Sequence, residues 1–196
     1  MSPITPETED RDNMLRLTGG DDTALNDLMN RHATRLFNYL FRCLGNLEDA
    51  EEISLESFAR VHQHRDRFKP AFKFSTWLYT IATNLVRDHL RYRSRRPVTS
   101  LESRFDSSAP DRATLMTSPD PSPSELVEKT ERSRMVHQAV AELPEDLRIP
   151  LVLAEFEGRS HAEIASMLGC SAKAVEMRVY RARKELKATL APFLSK

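Results

Sequence analysis

Apolar residues recur at three- and four-residue intervals through most of this 196-residue chain, and no stretch sustains the two-residue alternation of a half-buried strand. Residues 22–44 place Leu25, Leu28, Met29, His32, Leu36, Tyr39, Leu40 and Cys43 on one helical face, with Asp22 positioned to cap the helix and Gly45 to end it. A second helix over 47–64 has Ala50, Ile53, Phe58 and Val61 as its buried seam. A third over 75–93 turns Phe74, Trp77, Leu78, Ile81, Ala82 and Leu85 inward and Thr80, Thr83, Asn84, Arg87 and Arg91 outward. Ahead of these lie a polar stretch, 1–10, that reads as a loose tail, and a short helix over 11–17 stopped by Gly19 and Gly20. The periodicity vanishes between 97 and 124, where five prolines and seven serines mark a linker. As a coil it spans roughly 30 Å; fully stretched it reaches roughly 90 Å.

Helical patterning resumes at 125–142 with Leu126, Met135, Val136, Ala139 and Val140. Another helix follows, with Pro144 at its first position and Leu147, Leu151, Val152 and Phe156 inward. Pro150 falls inside it and is expected to kink it or shift its start. Ser160 and Glu163 then form a capping box. A short helix carries Ile164, Ala165 and Leu168; Gly169 supplies a left-handed residue; Ser171 caps a longer helix. A short capped helix, a glycine turn and a longer helix make a helix-turn-helix. In the longer helix Val175, Val179, Ala182 and Leu186 form an apolar stripe, whereas Lys173, Glu176, Met177, Tyr180, Arg181 and Lys184 lie on the other side. A basic face of this kind suits a DNA major groove. On this stretch alone, two packed surface helices with a solvated charge face are the alternative. Residues 188–196 read as a short end. The expected architecture is therefore all-α: a tail and short helix over 1–21, a helical domain over 22–96, a flexible linker over 97–124, and a helix-turn-helix domain over 125–196.

Charge changes the picture through its distribution, because 29 basic and 29 acidic residues cancel overall. Cations gather at 87–96 and 173–187, anions at 48–56 and near the N-terminus, a segregation that suggests two kinds of partner. Glu48, Asp49, Glu52 and Glu56 form an acidic stripe. Like charges at this spacing repel, so a basic partner surface is a plausible complement, although an ordinary solvated face would read the same. The segment 65–73 is basic and aromatic, with Arg65, Arg67, Phe68, Lys69, Phe72 and Lys73, which suits single-stranded nucleic acid. Cys43 and Cys170 belong to no metal-spaced motif and read as reduced thiols of a cytosolic protein. No leader and no long apolar run is apparent, so neither export nor membrane insertion is expected.

Taken together the motifs resemble a bacterial RNA polymerase sigma factor of the extracytoplasmic-function (ECF) type. In the first half the resemblance rests on 44–53 (LGNLEDAEEI), 56–58 (ESF), 74–85 (FSTWLYTIATNL) and 88–91 (DHLR). In the second it rests on 143–144 (LP), 157–158 (EG), 163–165 (EIA), 168–169 (LG) and 178–183 (RVYRAR). It implies a first domain, region 2, that docks on the clamp helices of the polymerase largest subunit through Asp49, Glu52, Ile53 and Glu56. It implies that 65–96 opens and reads the minus-ten element, with Phe68, Phe72 and Lys73 as the capture loop and Asn84, Arg87 and Arg91 at the duplex edge and phosphates; Trp77 joins the minus-ten set as a mainly core aromatic that shows at most an edge. Region 4 would read the minus-thirty-five element through Ser171, Lys173, Glu176, Met177, Arg178, Tyr180 and Arg181, and would touch the polymerase flap. Promoter DNA, double- and single-stranded, and core polymerase are the implied partners. So is an anti-sigma factor, which could hold an otherwise cytoplasmic protein at the membrane, in a stress or envelope response. One departure stands out: many relatives carry lysine-serine where Glu176 and Met177 stand here. A glutamate in the major groove can accept from a cytosine amino group, so the promoter preference is expected to differ.

Two other classes compete. A stand-alone helix-turn-helix regulator would explain the second half but leaves 22–96 without a task. An enzyme is disfavoured. His62 and His64, two apart, fall on different helix faces, and there is no phosphate-cradling glycine loop and no nucleophile motif. No catalytic residue, metal site or cofactor is therefore expected.

Overall fold

The computed structural model describes residues 5–95 and 123–194, with side chains over 5–95 and 133–193. The linker expectation for 97–124 falls almost wholly outside the described residues. Those described form eight α-helices and one 3-10 turn, without strands: α1 (Pro6–Thr18), α2 (Thr23–Leu44), α3 (Leu47–Gln63), a 3-10 turn (Arg65–Arg67), α4 (Phe74–Arg95), α5 (Pro123–Glu142), α6 (Glu145–Glu155), α7 (His161–Leu168) and α8 (Ala172–Leu194).

The first helix starts earlier than its sequence pattern suggests. Thr5 caps it by accepting from the Thr8 N–H at 3.3 Å, and Pro6 occupies the first turn, where its missing N–H costs nothing. Residues 6–10 are too polar to show an apolar period. What fixes them is a buried polar contact: Asp10, 4% exposed, meets His32 and Arg31 of α2, each at 2.8 Å. Asp22 also departs from expectation. Its carboxylate makes no cap bond and instead meets His62 Nε2 at 2.9 Å. The preceding Asp21 accepts from the Thr23 N–H at 3.1 Å.

Helices α2, α3 and α4 pack together around Leu28, Leu36, Tyr39, Leu40, Ile53, Phe58, Val61, Leu78 and Ala82. Thr83 was expected outside; it is fully buried, and its hydroxyl pairs with that of Tyr39 at 2.8 Å. Burial pushes the Cys43 thiol up to about 12, so this cysteine is an inert core residue.

In the second half α5 begins at Pro123, two residues before its expected start, and α6 starts directly after Pro144. Pro150 leaves that start unshifted and sits buried within the helix, where it forfeits the bond its N–H would have made. Phe156, expected inward, is 36% exposed beneath the Arg42 guanidinium, which lies 4.7 Å from its ring centre. The capping box at the start of α7 is complete, and Gly169 (φ 65°) makes the left-handed turn into α8. The Glu163 carboxylate of the box is held below the usual range, chiefly by the Ser160 backbone N–H. Its contribution is therefore present above about pH 4.5 and lost as the pH falls through its folded value. Ser160→Ala should cost about 1 kcal/mol, read as a lowered midpoint in thermal unfolding at pH 7. α8 continues through Pro192 to Leu194, so most of the expected short end is helical.

The two halves meet: α2 packs on α5 and α6, and α4 on α6 and α7. Buried apolar residues of both halves belong to one contiguous cluster.

Candidate nucleic-acid interface

The helix-turn-helix presents α8 outward. Val175 and Val179 are at most 2% exposed and Ala182 is fully buried, so the apolar stripe seats the helix against α6 and α7. The opposite face carries Tyr180 (63% exposed), Met177 and Arg181. Lys173 and Glu176 stand beside them, and the ammonium donates to both carboxylate oxygens at 2.9 Å. That pairing holds the Glu176 carboxyl below its ordinary value. The Ser171 hydroxyl accepts from the Ala174 N–H at 3.1 Å. Arg178 is turned back, half-buried, with its guanidinium 3.8 Å from Cys170 Sγ. Six of the seven region 4 residues thus line an accessible face, and Arg178 braces the turn instead.

The segment before α4 is divided by burial. Phe72 is largely exposed, whereas Phe68 is buried, 5.4 Å from the Trp77 ring and 6.4 Å from that of Phe74. Phe68 therefore props the loop from inside and, in this arrangement, offers no face to a base. Four aromatics fall within the ten positions 68–77; the period of α4 turns Phe74 inward, and Phe68, outside the helix, goes under by packing on Phe74 and Trp77. Trp77 is half-buried and shows only part of its ring. Lys73 Nζ meets Glu7 of α1 at 2.5 Å, Arg87 lies 3.7 Å from Glu145, and Arg91 lies 3.8 Å from Asp88. Asn84 is exposed. Glu7→Gln, which frees Lys73 from a solvent-screened pair, should tighten single-stranded DNA binding by no more than about fivefold, measured by fluorescence anisotropy.

The acidic stripe of α3 borders an open groove of about 650 Å³ between α3 and α4. Glu52 is exposed, and Glu56 pairs with Arg60 at 2.7 Å. Asp49 is drawn in by Arg93 at 2.7 Å and His89 at 3.3 Å. Ile53, 6% exposed, forms part of the groove floor rather than of the stripe. Leu55 (64% exposed) and Tyr92 (60%) also line this groove, and neither was singled out from sequence. Leu55 was visible in principle, as a leucine out of phase with the seam of α3 and flanked by carboxylates. No group of three metal-ligating side chains lies together among the described residues, and none of their helices is long and apolar enough to cross a membrane.

Residues 28–96 match the family Sigma-70 region 2, and residues 133–186 match Sigma-70, region 4. An all-helical chain with these two regions in this order is a sigma-70-class transcription initiation factor. The chain is 31% identical to the RNA polymerase sigma-H factor of Pseudomonas aeruginosa, over 95% of this chain and 97% of the relative. It is 31% identical to the ECF RNA polymerase sigma factor SigW of Bacillus subtilis (87% and 91% covered), and 34% to the RNA polymerase sigma factor CarQ of Myxococcus xanthus (90% and 95%). Among solved structures it resembles CnrH, determined in complex with the cytosolic domain of CnrY: TM-score 0.65, 26% identity, 94% of this chain and 98% of that one. The fold is also shared with the sigma factor RpoE of Bartonella quintana, solved with the anti-sigma factor NepR: TM-score 0.62, 19% identity, 85% and 96% covered. The chain belongs to the ECF group of RNA polymerase sigma factors. It binds core RNA polymerase and directs it to promoters, and the chemistry of RNA synthesis belongs to the polymerase. A regulator acting without polymerase is not favoured, because region 2 is present as well as region 4.

Proposed function

We propose a division of labour within this sigma factor, region 2 over 22–96 and region 4 over 125–196 on either side of the 97–124 linker. The α3 face, with Glu52, Leu55 and Glu56 around the groove, docks on a basic and partly apolar surface of the polymerase clamp helices. The single observation that carries this is an exposed leucine set among self-repelling carboxylates, a combination that costs free energy until a complementary surface covers it. Asp49 supports that face by fixing Arg93 and His89.

Phe72, Lys73, Asn84, Arg87 and Arg91 act on the minus-ten element, with Trp77 showing an edge. Opening a duplex costs a few kcal/mol per unstacked base, offset by capture of the extruded base and its phosphates. Lys173, Glu176, Met177, Tyr180 and Arg181 read the minus-thirty-five element, with Ser171 at the helix start beside the DNA backbone. An anti-sigma factor that covers the polymerase-facing surfaces is the expected regulator, a reading supported by the solution of the similarly folded RpoE together with the anti-sigma factor NepR, and the cytoplasm is the expected compartment.

Run-off transcription with core polymerase on genomic fragments tests the assignment. Discrete, sequence-dependent starts are expected; random or absent starts overturn it. Within that assay Lys173→Ala or Arg181→Ala should weaken binding across promoters alike and reduce the slope of log affinity against log salt by about 1.

A further inference from the structure

A cavity of about 300 Å³ lies where the start of α4 faces the loop between α6 and α7. Its walls include Arg35, Lys73, Ser75, Glu157, Arg159 and Glu163. Three cations, from α2, from the segment before α4 and from the loop before α7, therefore meet in one place. The volume sits at the lower end of those that hold small molecules, roughly 300–1,000 Å³. The cavity shares no wall residue with the groove between α3 and α4, and none of its wall residues belongs to α8.

Most of the acid in this cavity is already committed. The Glu157 carboxylate, 2% exposed, accepts from Arg35 Nε at 2.8 Å and from the Tyr79 hydroxyl at 2.6 Å. Glu163 serves the α7 capping box, accepting from the Ser160 N–H at 2.9 Å and from its hydroxyl at 2.7 Å. Arg159 is left the least neutralised cation. Its guanidinium donates to Ser75 Oγ at 3.1 Å and lies 4.7 Å from the centre of the Tyr79 ring. Glu163 Oε1 stands 3.9 Å away, beyond hydrogen-bond reach, and Arg159 Nε is buried without a partner. Lys73 is kept charged chiefly by the Glu7 carboxylate, against the repulsion of this same guanidinium. Glu7 is 61% exposed and can swing into water. An anion lodged between Lys73 and Arg159 relieves their repulsion. Ser75 accepts from Arg159, which leaves its O–H to donate, and its place in the first turn of α4 puts the positive end of that helix beside the site. Phosphate suits the set better than a carboxylate, because its oxygens point to two cations and a hydroxyl at once.

We propose that this cavity binds a small anion of the phosphate class through Lys73, Ser75 and Arg159, and that the bound anion competes with the minus-ten strand for Lys73. The competition rests on the assignment of Lys73 to single-stranded DNA made above; the binding site does not. A free phosphate and a phosphate of the DNA backbone share this chemistry. The free anion is favoured because the Arg159 side chain is only 11% exposed, within reach of an ion that enters the cavity but not of a strand that passes over the surface. The small volume favours inorganic phosphate or pyrophosphate over a nucleotide.

The test titrates the full chain with sodium phosphate and with sodium pyrophosphate by isothermal calorimetry, at an ionic strength held constant with chloride. Saturable binding to one site is expected, weakened about tenfold by Arg159→Gln and by Lys73→Gln, since each removes a charge-assisted bond. Lys73 is 52% exposed, so its variant tests the site even where loss of Arg159 disturbs the fold. Anisotropy of a labelled single strand supplies the second arm. Pyrophosphate should displace the strand from wild type. Arg159→Gln should hold the strand within about twofold of wild type yet need about tenfold more pyrophosphate to release it. Heats that never saturate, or equal binding by wild type and both variants, overturn the site. If Arg159→Gln loses affinity for strand and pyrophosphate alike, the cavity serves the DNA backbone and the free-anion site is overturned. Pyrophosphate that binds without displacing the strand overturns the competition. The strand affinity of Lys73→Gln reports separately on the minus-ten assignment: if it is unchanged, Lys73 leaves that set and the competition falls with it, while the anion site stands on the calorimetry.

Discussion

Reversing the charge of the α3 face, with Glu52→Lys and Glu56→Lys beside Leu55→Ala, should reduce affinity for core polymerase by roughly a hundredfold or more. Each replacement removes an attraction to a basic surface and installs a repulsion, and like charges brought together at an interface cost several kcal/mol. Loss of the Leu55 side chain removes an apolar anchor worth about 1.5–3 kcal/mol when fully covered. The fold should tolerate all three, since Glu52, Leu55 and Glu56 are exposed and, among the described residues, the bond at stake is the surface pair of Glu56 with Arg60. Helicity by circular dichroism should therefore stay unchanged while co-migration with polymerase on size exclusion is lost. If the triple variant still directs sequence-specific starts at wild-type concentrations, the docking face lies elsewhere. The effect should shrink as salt rises, because the charge component is screened while the Leu55 component is not.

The contrast between Leu55 and Phe68 shows what a one-dimensional pattern carries. Helix periods located every described helix, because an apolar stripe at 3.6-residue spacing can be buried in only one way. The glycine turn and capping box at α7 were legible for a similar reason, since few residues satisfy orphan donors or take φ of 65° without strain. Three kinds of feature escaped. The start of α1 is held by the buried bonds of Asp10 to α2 rather than by periodicity. Thr83 and Tyr79 are polar side chains buried because distant partners satisfy them, Tyr39 of α2 and Glu157 of the loop after α6, which are 44 and 78 residues away in sequence. Phe68 lies outside any helix, so no period assigns it a side; the aromatic cluster with Phe74 and Trp77 does. Closure of one half on the other was equally invisible. Glu157 reads as part of a family motif, but nothing local announces that Arg35, 122 residues away, completes it.

Glu176→Gln should change which base is preferred at one position of the minus-thirty-five element, by about 1–3 kcal/mol, a fivefold to 150-fold change in selectivity. A glutamate only accepts hydrogen bonds, so facing base edges it favours the cytosine amino group and rejects the acceptors of guanine; glutamine can donate as well as accept and favours adenine. The structure adds a second consequence. Glu176 holds the Lys173 ammonium through both carboxylate oxygens, so before DNA arrives the pair presents almost no net charge to a phosphate. Neutralising Glu176 releases that cation and removes an anion from the approach path. Affinity for DNA of any sequence should rise several-fold at low salt, and the salt slope should steepen by up to about 1. The two effects separate experimentally. Selection from a randomised minus-thirty-five pool, run with polymerase holoenzyme, reports the preference, whereas titration of binding against salt reports the charge. A variant that binds more tightly but selects the same sequence would mean that Glu176 tempers Lys173 without touching a base. A variant unchanged in both would remove Glu176 from the DNA-facing set altogether.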